Sequence, residues 1–175
     1  AEPSAKLAEI LAKHPDAIVW READSSVAGH NRTELTRAET LVVWTSPPGP
    51  DEWNAALETV KPRRVMFFGQ IPAEATLESF LQRLGGLLKF VMNSKGGEAT
   101  IQGLAAATAQ RADAVRYGLN WFQQSGQISF DLRASGKLKL ARGSGESSQS
   151  QQTAIEKLLS SVLAETAAYR KNWTP

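Results

Sequence analysis

The sequence contains no cysteine and only two histidines. Without cysteine there can be no disulfide staple and no thiolate metal cluster, which agrees with a reducing compartment. His14 and His30 belong to no HExxH, DHH or Cys/His pattern, and no Asp/Glu pair has clear metal-ligand spacing. His14 precedes Pro15 at an expected helix end and His30 lies in a polar stretch, positions where a surface histidine is ordinary. Nor is there a nucleophile motif. TSPPGP, after an apolar run, carries no GxxxxGK[ST], and Pro47, Pro48 and Pro50 cannot offer the backbone N–H groups of a phosphate cradle. The chain is therefore expected to lack catalytic machinery and a cofactor of its own. No apolar run nears the length of a membrane span and no leader pattern opens the chain. The first residues, AEPSAKLAEI, lack an initiator methionine, as expected of a piece of a longer polypeptide.

What is present is 42% hydrophobic and 22% charged over 175 residues, enough apolar material for one domain or two small ones without staples. The net charge of +2 conceals an asymmetry. Residues 1–75 carry 8 Lys/Arg and 11 Asp/Glu, a balance of -3, whereas residues 76–175 carry 12 and 7, a balance of +5. That division points to the second half as the part that meets an acidic partner.

In the first half, Leu7, Ile10 and Leu11 fall on one face of a helix over residues 4–13, with Ser4 as N-cap. AIVW, TLVVW and RVMFF are continuous apolar runs of strand type, the last ended by Gly69. Residues 21–39 are polar and irregular, with a helical turn expected near residues 31–37. A helix over residues 51–60 turns Trp53, Ala56, Leu57 and Val60 inward. Unbroken apolar strands alternating with helices predict a small, mostly parallel sheet with covered faces, and any ligand would sit beyond the strands' carboxyl ends.

In the second half, Thr76 caps a long helix whose apolar stripe is Leu77, Phe80, Leu81, Leu84, Leu87, Leu88 and Val91, with Gly85-Gly86 admitting a close neighbour. A short helix over residues 99–108 and a longer one over residues 110–124 follow. Val115, Leu119 and Phe122 face the core; Gln110, Arg111, Asp113, Arg116, Tyr117 and Asn120 face outward. Gly126 supplies a left-handed cap. Two short strands then turn at Ser135-Gly136 with Arg133, Lys137, Lys139 and Arg142 outward. This order predicts a winged helix, a unit that commonly lays its second helix or its wing on nucleic acid. Arg111, Arg116, Arg133, Lys137, Lys139 and Arg142 are the candidate phosphate contacts, and Tyr117 and Trp121 the candidates for stacking on bases. A polar linker over residues 143–152 leads to a final helix from about Gln151 to Lys171, whose apolar face (Ile155, Leu158, Leu159, Val162, Leu163, Thr166, Tyr169) must dock on the body. Arg170 and Lys171 suit its dipole. The expected organisation is an α/β subdomain (residues 1–75), a winged-helix subdomain (residues 76–142), and a linker with a docking helix (residues 143–175).

The segments TLVVWTSPPGPDEWNAAL, KPRRVMFFG, ATLESFLQRLGGLLKFV, IQGLAAATAQRADAVRYGLNWFQQSGQI and LAETAAYRKNW, over residues 17–173, resemble in order the C-terminal extension of bacterial RecJ exonucleases, in the long form of cyanobacteria and related phyla. The resemblance implies a cytoplasmic enzyme that degrades single-stranded DNA from its 5′ end with Mn²⁺ or Mg²⁺ held in separate DHH-type catalytic domains. None of those metal motifs occurs here, so no catalytic residue is carried over. The implied role is accessory: guiding single-stranded DNA for the catalytic domains of the same polypeptide, or docking a helicase or single-strand-binding protein. A protein-interaction module without DNA contact is the alternative.

Overall fold

The computed structural model describes residues 2–173. Among them are six helices and two three-stranded sheets, divided between two compact units. The first unit runs to Ala73 and takes in the chain from Tyr169 onward; the second is Glu74–Ala168.

The first unit is built on β1 (Ile18–Trp20), β2 (Thr40–Thr45) and β3 (Arg64–Gln70), all parallel, in the order β1-β2-β3. Alternation sorts the side chains by face. Ile18, Trp20, Leu41 and Val43 pack with Ala56 and Val60 of α2 (Pro50–Val60); Val19, Val42 and Trp44 pack with Leu7 of α1 (Pro3–Lys13). The sheet is thus covered by one helix on each side, and every residue of β2 is buried, as continuous apolar strands require. α1 starts at Pro3, and Ser4 caps nothing: the N-cap is Glu2, without a side-chain bond, because proline needs no N–H partner in the first turn. The polar stretch after β1 makes an isolated bridge between Trp20 and His30 and, within the expected span, a single turn over residues 32–34 in which Glu34 N donates to Asn31 O. β3 does not stop at Gly69. It passes through that residue at φ +60° to Gln70, with a register shift opposite Val43 and Thr45.

In the second unit α3 (Leu77–Ser94) opens with a reciprocal cap, in which Thr76 accepts from Ser79 N and the Ser79 hydroxyl accepts from Thr76 N. Thr76→Ala should cost about 1 kcal/mol, read as a lower denaturation midpoint at unchanged m-value. β4 (Glu98–Thr100) precedes α4 (Ile101–Thr108), so the residues expected to begin a helix instead form a strand, drawn into pairing by β6. α5 (Ala112–Gln124), β5 (Ile128–Leu132) and β6 (Lys137–Arg142) complete an antiparallel sheet in the order β4-β6-β5. The core joins Phe80, Leu84, Leu88, Val115, Leu119, Phe122, Leu138 and Leu140. Gly126 adopts φ +80° after α5, as its capping role demands. Of the glycine pair in α3, only Gly85 serves close packing: a Cβ there would lie 3.0 Å from Phe122 Cζ, whereas Gly86 faces open space.

α6 (Gln149–Asn172) begins two residues earlier than the pattern implied and buries Leu159, Leu163 and Thr166, while Leu158 is half exposed. Its last turn holds Arg170 and Lys171, as the dipole reading had it, and Arg170 has a second role. That side chain is buried in the first unit and its Nε donates to the Ser46 carbonyl at 3.0 Å. Trp173 beyond it meets Trp53 and Phe67 edge-on, with ring centroids 5.4 and 5.3 Å away.

Candidate nucleic-acid interface

The β5–β6 hairpin turns tightly, with Arg133 N donating to Lys137 O and Gly136 N to Arg133 O, both at 2.9 Å, and Gly136 at φ +85°. Register then decides which cations share a face. Leu138 and Leu140 point into the core opposite Leu132 and Phe130, so Lys137 and Lys139 point out, opposite Thr100 and Glu98 of β4. Arg133 continues that outer face. With Lys137, Lys139, Leu138, Glu98, Ala99 and Thr100 it lines a shallow hollow of about 710 Å³.

The seven candidate residues do not form one site. Arg142 pairs with Ile128 on the other parity of β6, away from Lys137 and Lys139. Arg111 is mostly covered and lies 3.3 Å from Glu165 of α6. Arg116 is exposed and 3.3 Å from Asp113, one turn back on α5. Tyr117 is half-buried and packs against the core cluster. Trp121 donates from Nε1 to Glu156 of α6 at 3.1 Å and packs edge-on against Phe122. Gln110, expected outside, is buried, because the chain reverses at Ala109 in a left-handed conformation and Gln110 N bonds the Ala105 carbonyl. The outward face of α5 thus carries one cation against one carboxylate.

Acids also temper the hairpin. Glu98 stands across from Lys139 at 4.0 Å, Asp131 is the Lys139 partner on β5, and Lys139 Nζ donates to Gly96 O at 2.7 Å. Among the described residues, Arg133 and Lys137 form no ion pair. They are the two most available cations of this face. β4, which supplies Glu98 and Thr100 to it, carried no readable signal beyond the β-branched Thr100.

In the first unit, the carboxyl ends of the strands are occupied by the protein's own bonds. Glu22, buried beyond β1, accepts from Trp20 Nε1, from Arg32 N and from Arg32 Nε at Oε2, and from Arg32 Nη2 at Oε1 (2.6 Å). Glu22 N also donates to the Thr45 hydroxyl. Nearby, hydrogen bonds from Ser26 and then from the Trp44 indole hold the Asp24 carboxyl below its ordinary 3.8. A carboxyl depressed on folding stabilises above its unfolded value and loses that contribution as pH falls through the folded one. Below pH 3.8, therefore, the wild-type chain should lose stability more steeply than Asp24→Asn, which denaturation midpoints across that range would measure. No set of three His, Asp or Glu side chains arranged to hold a metal ion occurs among the described residues. No described helix is long and apolar enough to cross a membrane.

Comparison of the chain with protein-family models, with curated proteins and with solved structures gave no match.

Proposed function

We propose that the second unit is a winged helix whose β5–β6 hairpin contacts the phosphate backbone of single-stranded DNA. We further propose that the chain is a non-catalytic accessory region of a RecJ-type 5′-3′ exonuclease acting in the bacterial cytoplasm. The observation that carries the DNA reading is the placing of Arg133, Lys137 and Lys139 on one exposed sheet face. The order α3, β4, α4, α5, β5, β6 with β6 between β4 and β5 supports the winged-helix assignment. α5 is the poorer reader, since Arg111 and Trp121 are engaged by α6 and Arg116 by Asp113. On this reading Mn²⁺ or Mg²⁺ and the strand scission would belong to catalytic domains elsewhere in the polypeptide.

Arg133→Gln/Lys137→Gln should weaken binding of a labelled single-stranded oligonucleotide and flatten the dependence of log K on log salt by about 1.4, at about 0.7 for each phosphate no longer neutralised. Binding and slope equal to wild type would remove the hairpin from the DNA path. A protein-docking role is favoured instead by one feature, the carboxylates of Glu98 and Asp131 beside the cations. Recovery of a helicase or single-strand-binding protein that survives charge reversal at Arg133 and Lys137 would decide for it.

A further inference from the structure

The amino-terminal edge of the parallel sheet gathers cations that are dispersed in a half-sequence of net negative charge. Ala38 N donates to Val60 O, which sets Arg37 against the end of α2. Lys61 follows α2 in a left-handed conformation, and Arg63 N and Arg64 N both donate to Glu39 O at 2.9 and 3.0 Å. Arg64 Nη1 reaches Thr40 Oγ1 at 3.2 Å and His14 Nδ1 at 3.0 Å, which brings the end of α1 and Lys13 alongside. Five cations, Lys13, Arg37, Lys61, Arg63 and Arg64, therefore line one edge, and all are exposed. The carboxylates within three residues of these cations are Asp16, Glu34, Glu39 and Glu58, and only Glu39 approaches a cation, at 3.7 Å from Arg63.

Two helices end at this edge, and cations commonly serve such ends by satisfying carbonyls. Here backbone groups already do so: His14 N bonds Ile10 O, Lys61 N bonds Leu57 O and Ala38 N bonds Val60 O. The charges are left for solvent or a ligand, and the Arg63 side chain is 87% exposed. None of the exposed large hydrophobic residues, Phe67, Ile71, Phe90, Leu132 and Leu158, belongs to the group. A membrane-surface site would pair such charges with apolar side chains; a phosphodiester chain asks only for the charges.

We propose that this edge of the first unit is a sequence-independent binding surface for the phosphate backbone of a nucleic acid, with Arg37, Lys61 and Arg63 as its principal contacts. The surface belongs to a different unit from the hairpin and does not depend on it. The test uses the full chain and a fluorescent oligothymidylate of about twenty nucleotides, longer than a single site. Arg37→Gln/Lys61→Gln/Arg63→Gln leaves Arg64 with its Thr40 and His14 contacts, and an unchanged melting temperature verifies the fold. The variant should bind about tenfold more weakly at low salt, and its slope of log K against log salt should flatten by about 2, for three phosphates at about 0.7 each. Affinity and slope matching wild type overturn the proposal, whatever the hairpin variant does. Loss in this variant with none in Arg133→Gln/Lys137→Gln upholds it and removes the hairpin reading instead. Capture by phosphatidylserine vesicles without oligonucleotide binding also overturns it.

Discussion

Glu22→Ala should destabilise the first unit by about 3–5 kcal/mol, the usual consequence of removing one partner from a buried ion pair. Glu22 is 2% exposed, and Arg32, whose side chain is 9% exposed, grips both carboxylate oxygens. The substitution leaves the guanidinium buried without that carboxylate, takes the acceptor from the Trp20 indole and frees the backbone N–H of Arg32. The long connection between β1 and β2 is tied down at this point, so its residues should lose amide protection first. Replacing both Glu22 and Arg32 by apolar residues of similar volume should be far less damaging than Glu22→Ala alone, since both members of a buried charge pair are then removed together and not one of them. Urea denaturation of the wild type and the two variants measures this. A loss below about 1 kcal/mol for Glu22→Ala, the worth of a surface pair, would contradict it.

Leu84→Ala should cost about 2–5 kcal/mol through the cavity it leaves in the second unit. Leu84 is wholly buried, and it lies against Gly118: a Cβ at that position would sit 2.3 Å from Leu84 Cδ2 and 3.2 Å from Phe80 Cε1. Gly118→Ala should accordingly destabilise, because overpacking of about 1–3 kcal/mol exceeds the helix-propensity gain of about 1. In the double variant the new methyl group enters space vacated by Leu84 and the clash disappears. The double change should therefore cost less than the sum of the singles by about 1 kcal/mol or more, in a double-mutant cycle read by denaturation. Strict additivity would show that α3 and α5 do not meet through these two residues.

Much of this architecture is legible in local pattern. Continuous apolar runs mark β1, β2 and β3, and helical spacing of Phe80, Leu84, Leu88, Val115, Leu119 and Phe122 marks the faces that form the second core. What escapes is what depends on a distant partner. β4 is three residues, Glu98, Ala99 and Thr100, and is a strand only because β6 lies beside it. Arg170 reads as an ordinary helix-end cation until the carbonyl of Ser46 is brought to it from 124 positions away. Glu22 and Arg32, ten residues apart in a polar stretch, look like solvated charges, yet they are the buried pair of the first unit.

The candidate site was legible in kind and not in grouping. Lys137 and Lys139 share a face by strand alternation, and the same alternation turns Arg142 away. Arg111 and Arg116 were visible as cations, but their partner carboxylates lie on α6 and one turn back on α5. The cations at Arg37, Lys61 and Arg63 were hidden for the opposite reason. They belong to the acidic half of the chain, and only the meeting of two strand starts at Glu39 assembles them.

The most direct test of the proposed DNA role is a residue-by-residue map of amide chemical-shift changes as a single-stranded oligonucleotide is titrated into the chain at low salt. The proposal predicts shifts at the amides of Arg133, Gly136, Lys137 and Lys139, beside those that the sheet edge at Arg37, Lys61 and Arg63 would add, all vanishing as salt is raised. No shift at those amides, with changes confined to the faces around Phe90 and Leu158 or absent altogether, would contradict it.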